Sequence, residues 1–420
     1  MEIYRIEGGN RLKGEVIAQG SKNGALPLIS ASLLTDEPVY IRNVPRLLDV
    51  GTLIEVIRGI GVKAKHLKDG TVSIEAGNLN WEITDEKASR IRGSITLVGS
   101  LLSRIGKVRL PFPGGCHIGS RPIDLHIKGF KALGADVRAL GTLIEGEAKK
   151  MRGAKIYLDY PSVGATENIL LASVFAKGET VIENAAQEPE VVELANFLNS
   201  MGGKIEGAGT KCIRVEGVKK LHGTDFTLSP DRVEIGTFMI GAAITGGDIT
   251  IKPVIFEHII PLVFKLREIG VNIKIENGKI LRVIAKKRPK KFEIRTMPFP
   301  GFPTDLQSQM LALATIAEGV SLITETVFEN RFMVVPELRK MGAKIRVEGR
   351  TAFVEGVTKL IGTEVTATDL RAGAALVLAG LRAEGETIIK KIYHIERGYY
   401  NLHEKIRQLG GKIWKETINF

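Results

Sequence analysis

Cysteine is nearly absent from this chain: two residues in 420, Cys116 and Cys212, far apart. That excludes a disulfide framework and fits a reducing, cytoplasmic setting. Metal-ligand spacings are missing too, with no His-Glu-x-x-His and no paired Cys-x-x-Cys, and no Ser–His–Asp context is evident. Neither a metal hydrolase nor a serine hydrolase is expected, and no metal or cofactor is. Long apolar runs are lacking: no stretch nears the ~18 uncharged apolar residues that would span a bilayer. Met1-Glu2-Ile3-Tyr4-Arg5-Ile6-Glu7 has no apolar leader core, so no membrane association is expected. Aromatic residues make up only 6%. The densest basic cluster, Lys286-Lys287-Arg288-Pro289-Lys290-Lys291, has no aromatic stacking platform beside it, which weighs against a single-stranded nucleic-acid partner.

What remains is an ordinary globular composition, 44% apolar and 25% charged, with a net charge of +12. Surface lysines and arginines for solubility account for part of that charge. A basic cleft for small anions is the sharper alternative.

A short signature recurs six times: an apolar residue, a glycine, a small residue, a polar residue and, in most copies, Ile or Val. Its glycines are Gly61, Gly134, Gly202, Gly270, Gly342 and Gly410, spaced 73, 68, 68, 72 and 68 residues apart. A fixed period means one supersecondary unit copied six times. Four residues before each glycine stands a large apolar residue (Ile57, Phe130, Leu198, Leu266, Leu338, Ile406), the pattern of an amphipathic helix ending on a glycine cap. Upstream lies a second helix, apolar on nearly every face and rich in small residues, as in Ala372-Gly373-Ala374-Ala375-Leu376. Such a helix is buried all round. Each unit reads as βαβαββ, and three units make a domain of ordinary size. The cut falls near Leu228-Ser229-Pro230, giving two similar α/β domains with a cleft between them. The first strand, Glu2 to Ala18, can pair with either half.

The buried helices begin on polar residues: Lys22-Asn23, Arg92, Ser162-Val163-Gly164-Ala165-Thr166, Asp231-Arg232, Thr304-Asp305 and Asp369-Leu370-Arg371. Capping explains any one of them, by Ser162, Thr304 or Asp369 for example. Six together point to a shared anion site, because helix N-termini present unpaired N–H groups and partial positive charge. Lys22, Arg92 and Arg371 oppose the usual dipole preference there, as expected if an anion completes them.

One copy is longer. From upstream turn to marker glycine the second unit advances 28 residues, against 23 to 25 elsewhere, and the excess falls in Leu110-Pro111-Phe112-Pro113-Gly114-Gly115-Cys116-His117-Ile118-Gly119-Ser120-Arg121-Pro122. A loop thiol among glycines, close to Arg121, is expected to be reactive. Cys212, in an alternating strand, reads as a small buried space-filler. His117 reads as a solvent-facing loop residue. His126, on the following helix, supports packing or the loop. Gly207-Ala208-Gly209-Thr210-Lys211 reads as a hairpin turn, since no helix follows it.

Gly20-Ser21-Lys22-Asn23-Gly24-Ala25-Leu26-Pro27, Pro113-Gly114-Gly115-Cys116, Gly119-Ser120-Arg121-Pro122-Ile123-Asp124-Leu125-His126, Phe302-Pro303-Thr304-Asp305-Leu306-Gln307, Glu325-Thr326-Val327-Phe328-Glu329-Asn330-Arg331-Phe332, Thr368-Asp369-Leu370-Arg371 and His394-Ile395-Glu396-Arg397-Gly398-Tyr399 closely resemble the UDP-N-acetylglucosamine 1-carboxyvinyltransferase family, end to end. The resemblance implies a two-domain inside-out α/β barrel of six repeats: residues 21–229 form one domain, and 1–20 with 230–420 form the other. It implies transfer of enolpyruvate from phosphoenolpyruvate to the 3′-hydroxyl of UDP-N-acetylglucosamine, the committed step toward peptidoglycan, in a cytoplasmic enzyme without cofactors, for which a monomer is favoured. By resemblance, Cys116 is the proton donor and the target of fosfomycin, and Asp305 is the base. Lys22 and Arg397 share the catalytic role. Lys22, Asn23, Arg92, Cys116, Arg121, Arg371 and Arg397 hold phosphoenolpyruvate. Asn23, Arg92, Arg121, Pro122, Ile123, Asp124, Leu125, Ser162, Val163, Gly164, Thr304, Asp305 and Val327 hold the nucleotide sugar. His117, Ser100 and Tyr160 depart from common members and bear on fine tuning of the loop and pocket. Two rivals remain. The shikimate 3-phosphate type of enolpyruvyl transferase lacks the Gly-Gly-Cys loop. A non-catalytic basic paralogue would have no need of Lys22, Cys116, Asp305 and Arg397 together.

Overall fold

The computed structural model describes residues 1–115 and 118–418; the calls made on Cys116 and His117 lie outside the described residues. The third repeat shows the unit in full. Strand Lys155–Tyr157 leads to helix Val163–Ser173, strand Glu179–Glu183, helix Pro189–Ser200 and the hairpin Lys204–Glu206/Cys212–Glu216. The first two strands pair in parallel, with Ile156 opposite Ile182, and the hairpin adds antiparallel strands with Ile182 opposite Ile213. Those three isoleucines are buried while their neighbours in sequence are not, the period-2 pattern of a sheet packed on one face.

Six sheets form in this way among the described residues, five of four strands and one of three. They remain separate sheets, with no closed β-barrel among the described residues, and the architecture is the mixed α/β fold that the resemblance implies. The three-stranded sheet belongs to the second repeat. A single bridge, Glu82 to Arg109, stands where its first strand would lie.

The N-terminal stretch is two strands rather than one, divided where Gly8-Gly9-Asn10 interrupts the pattern. Glu2–Glu7 lies between Glu386–Lys390 and Lys412–Thr417 in the last repeat's sheet. Lys13–Ile17 runs parallel to Asp248–Lys252. Strand Asp225–Thr227 in turn runs parallel to Val39–Arg42 in the first repeat. The strand that precedes a central helix therefore joins the sheet of a different repeat at both places.

The chain divides into two compact units. One comprises Met1–Gln19, the described stretch 118–120 and Pro230–Phe420; the other comprises Gly20–Gly115 and Arg121–Ser229. Each has its own apolar core. In the first, helices Arg232–Thr245, Gln307–Ala314 and Leu370–Arg382 pack on one another. In the second, Thr96–Ile105 packs on Lys22–Ala31 and on Val163–Ser173. Small residues let these helices approach closely. A Cβ on Gly99 would lie 2.4 Å from the Asn168 carbonyl oxygen, and one on Gly236 would lie 2.6 Å from Leu306.

The six marker glycines have φ between +83° and +97°, the left-handed conformation that ends a helix at little cost only with glycine. The apolar residue four positions earlier is at most 1% exposed in every copy. Burying each such side chain contributes about 1.5–3 kcal/mol.

Gly207 to Lys211 does form a hairpin turn. Cys212 departs from expectation: at the start of its strand it is half-buried rather than enclosed. Among the described residues no helix is long and apolar enough to cross a membrane, and no cluster of ligands is arranged for a metal.

Candidate active site

Helix Lys22–Ala31 begins on a cap: Ser21 Oγ accepts from the Gly24 N–H at 3.1 Å. This places Lys22, 7% exposed, in the first turn, against the helix dipole. The buried Asp49 carboxylate offsets it, with Oδ2 2.9 Å from Lys22 Nζ. Asn23 follows, half-buried. Arg92 opens a 3₁₀ turn before Thr96–Ile105. Its Nη2 donates to the Arg121 carbonyl at 2.7 Å and its Nη1 to the Pro113 carbonyl at 3.3 Å. Among the described residues Arg92 has no carboxylate partner. Burial, then the charge of Arg121, pushes its pKa down to about 10. Gly115 has φ +112°, and a Cβ there would stand 3.2 Å from both Arg92 and Arg121 Nη1, so only glycine lets the loop lie against the two guanidiniums.

Pro122 is exposed, Ile123 buried, and Asp124 exposed at the first position of helix Asp124–Ala132; Leu125 is half-buried against the core. In the same unit Ser162 caps Val163–Ser173, its Oγ accepting from the Ala165 N–H at 3.3 Å. The Val163 and Gly164 N–H groups, half-exposed, have no partner among the described residues. Ser100 donates to the Ser30 carbonyl at 2.7 Å and so ties two central helices together. Tyr160 is 43% exposed.

The other unit holds the carboxylate. Thr304 does not cap its helix; a 3₁₀ turn, Thr304–Leu306, precedes Gln307–Ala314. Thr304 Oγ1 donates instead to Glu325 Oε2 at 2.8 Å. Asp305 is bridged by two buried guanidiniums: Arg331 Nη2 donates to Oδ1 at 2.8 Å and Arg371 Nη2 to Oδ2 at 3.0 Å. Burial raises the Asp305 pKa, but the charges of Arg371 and Arg331 outweigh it and hold the carboxyl well below its usual range. Both arginines are 2% exposed, whereas the Asp305 side chain is 26% exposed. The clamp is buried from behind and open at the carboxylate. Arg371 follows Asp369, which caps Leu370–Arg382 by accepting from the Arg371 and Ala372 N–H groups. Behind Asp305, Gln309 Nε2 donates to its carbonyl, to Thr237 Oγ1 and to Tyr399 Oη, at 3.1 to 3.2 Å. Arg397, half-buried, ends the short helix Tyr393–Glu396.

Sequence reasoning assigned no role to four residues here. Glu325, Glu329 and Arg331 stand within one motif of the family resemblance. Glu325, fully buried, accepts from Thr296, Thr304 and the Val327 and Phe328 N–H groups, and so fixes both the Asp305 turn and Val327. Asp49 supports Lys22. Glu329 accepts from the Ser120 N–H and Oγ at 2.9 and 2.6 Å, and those bonds pull its pKa down to about 2. A buried charge pair separated by tens of residues leaves no local pattern to read. Only the unusual arginine in Asn330-Arg331-Phe332 could have been flagged as a buried cation needing an anion.

Residues 6–406 match the family described as EPSP synthase (3-phosphoshikimate 1-carboxyvinyltransferase). The chain is 53% identical to UDP-N-acetylglucosamine 1-carboxyvinyltransferase 1 of Caldanaerobacter subterraneus subsp. tengcongensis, covering 98% of this chain and 99% of that one. It is 52% identical to UDP-N-acetylglucosamine 1-carboxyvinyltransferase 2 of Carboxydothermus hydrogenoformans, with the same coverage. Among solved structures, the enolpyruvyl transferase NikO from Streptomyces tendae aligns over 100% of this chain and 99% of its own, at 27% identity and a TM-score of 0.90. EPSP synthase from Acinetobacter baumannii shares the fold at 21% identity and a TM-score of 0.74, over 99% and 100% of the two chains. With a repeat architecture matching solved enolpyruvyl transferases and half of its residues identical to these relatives across nearly their whole length, this chain belongs to the UDP-N-acetylglucosamine 1-carboxyvinyltransferase family.

Proposed function

We propose that this protein transfers the enolpyruvyl group of phosphoenolpyruvate to the 3′-hydroxyl of UDP-N-acetylglucosamine and releases phosphate, as the committed step toward peptidoglycan. The observation that carries this reading is identity of 50–53% over 98–100% of the chain to relatives that all bear this activity's name. A proton adds to C3 of phosphoenolpyruvate and makes C2 electrophilic. The sugar oxygen attacks C2 and loses its proton to a base, giving a tetrahedral phospho-ketal. Loss of a C3 proton with cleavage of the C2–O bond to phosphate then yields the enol ether.

The residues support that division of labour. Asp305 is ionised throughout the working pH range and open at its carboxylate, as a base must be. The Nε donors of Arg331 and Arg371 are buried with no hydrogen bond among the described residues, and a second anion would satisfy them. Lys22, Asn23, Arg92, Arg121 and Arg397 supply the donors for phosphate and carboxylate. Pro122, Ile123, Asp124 and Leu125 form the uridine end. Ser162, Val163, Gly164, Thr304 and Val327 complete the nucleotide-sugar contacts. Cys116 acts as proton donor on the strength of the family resemblance. We place the reaction in the cytoplasm, in keeping with two distant cysteines, and favour a monomer.

The test is phosphate release with phosphoenolpyruvate and either UDP-N-acetylglucosamine or shikimate 3-phosphate as acceptor, repeated after fosfomycin. Release with the nucleotide sugar alone, lost after the drug and protected by Cys116→Ser, is expected. Release with shikimate 3-phosphate alone would reassign the enzyme, and none with either acceptor would favour a non-catalytic paralogue.

A further inference from the structure

Gln19 is 7% exposed and uses every polar group it has within its own compact unit. Its N–H donates to Glu234 Oε2 at 2.6 Å, and its carbonyl accepts from the Asp231 N–H at 2.8 Å. The side-chain amide reaches a different segment. Nε2 donates to the Gly398 carbonyl at 3.1 Å, and Oε1 accepts from the Tyr400 N–H at 3.0 Å. Those backbone groups decide the orientation of the amide, since a carbonyl only accepts and an N–H only donates. One buried amide therefore brackets Tyr399 from both sides, directly after Arg397.

The bracketed residues belong to no helix or strand. Arg397 ends the short helix Tyr393–Glu396, and Asn401, at φ +49°, leads the chain into helix Leu402–Gln408. Among the described residues the Gly398 carbonyl and the Tyr400 N–H have no backbone partner, so both rely on Gln19. The Gly398 and Tyr399 N–H groups close on the Ile395 carbonyl at 2.9 and 3.0 Å. Arg397 is thus carried between a closed turn and a tethered carbonyl. Gly398 also lies tight against the start of Leu370–Arg382: a Cβ there would stand 2.4 Å from Leu370 and 3.5 Å from Arg371 Nη1. Gln19 is itself anchored to a central helix. Asp231 caps Arg232–Thr245, and the fully buried Glu234 in that helix's first turn also accepts from Lys405 Nζ at 2.7 Å. A site residue on an irregular turn gains precision from such support.

We propose that Gln19 is a positioning residue for phosphoenolpyruvate: by holding residues 398–400 it sets where the Arg397 guanidinium meets the substrate's anionic groups. This rests on the reading of Arg397 as a phosphoenolpyruvate ligand given above. A guanidinium forms paired hydrogen bonds to phosphate or carboxylate only from a well-placed base, and Gln19 supplies two of the ties that place it.

The test is steady-state phosphate release by wild type, Gln19→Met, Arg397→Lys and the double variant, with calorimetry for UDP-N-acetylglucosamine and thermal melting alongside. Gln19→Met keeps the length of the side chain and loses both hydrogen bonds. It should raise the KM for phosphoenolpyruvate about 10-fold, while kcat and nucleotide-sugar affinity stay within about 3-fold. In the Arg397→Lys background the same substitution should change that KM by less than about 2-fold, because the two residues act on one contact. Gln19→Glu keeps the acceptor for Tyr400, serves if the Met variant folds poorly, and should show an intermediate rise. An unchanged KM for phosphoenolpyruvate in both Gln19 variants, even with a lowered melting temperature, would overturn the role of Gln19 and leave the phosphoenolpyruvate reading standing. So would an equal effect of Gln19→Met with Arg397 and with Lys at that position. An unchanged KM in Arg397→Lys itself would overturn both.

Discussion

Lys22 and Asp305 both stand where a central helix begins, but they are held in opposite ways. Lys22 pairs with the buried carboxylate of Asp49, and in the same unit Arg92 has carbonyls and a like-charged neighbour for company. Asp305 is bridged by two buried guanidiniums, with a third layer of Gln309, Thr237 and Tyr399 behind it. The first arrangement sets cations side by side, Arg92 against Arg121, and on the proposed reading an anion joins them. The second carries its own positive charge and keeps a carboxylate ionised. On the proposed reading, helix starts of the same repeat receive anions in one unit and mount the base in the other.

The comparison breaks most sharply at Asp305. Asp305→Ala should lower kcat by at least about 1,000-fold, as expected for a lost general base whose two arginines are left uncompensated. It should also lower the melting temperature, measured alongside phosphate release. The milder Asp305→Asn keeps the volume and should separate the two effects, recovering stability more than rate. In the other unit, Asp49→Asn removes the anchor of Lys22 without touching substrate. It should raise the KM for phosphoenolpyruvate about 10-fold with a smaller change in kcat, a split that initial-rate kinetics reads directly.

Glu325→Gln keeps one acceptor but loses charge from four hydrogen bonds. About 2 kcal/mol of stability should go, seen in chemical denaturation, together with a rise in the KM for the nucleotide sugar as the Thr304 and Val327 turns loosen.

The smallest effect is on pH dependence. His126 has its pKa depressed in the fold, from about 6.5 to about 3, so below 6.5 the unfolded chain takes up a proton that the folded one refuses. Its stabilising contribution is therefore complete above pH 6.5 and declines as the medium acidifies toward 3. From pH 6.5 to 5 this amounts to at most about 2 kcal/mol. His126→Gln should flatten that slope in urea titrations at the two pH values.

The repeat was legible in sequence because its signal is local. Gly61, Gly134 and their four counterparts mark helix ends through a backbone requirement that only glycine meets cheaply, and the apolar residue four positions earlier follows the helical period. The polar helix starts could be seen as well, since Lys22, Ser162 and Asp369 each lie beside a buried apolar run. What escaped was pairing at a distance. Nothing near Arg331 names Asp305, and nothing near Asp49 names Lys22. The strand exchange at Lys13–Ile17 and Asp225–Thr227 was equally hidden, because either sheet could accept either strand on hydrophobic pattern alone.

The most direct test of the account is rapid-quench phosphate release with phosphoenolpyruvate and UDP-N-acetylglucosamine, comparing wild type with Asp305→Asn while calorimetry follows nucleotide-sugar affinity in both. A near-complete loss of release, with affinity changed by less than about 10-fold, is the predicted result for a base that acts on the bound acceptor. Release at the wild-type rate in the Asn variant would contradict it.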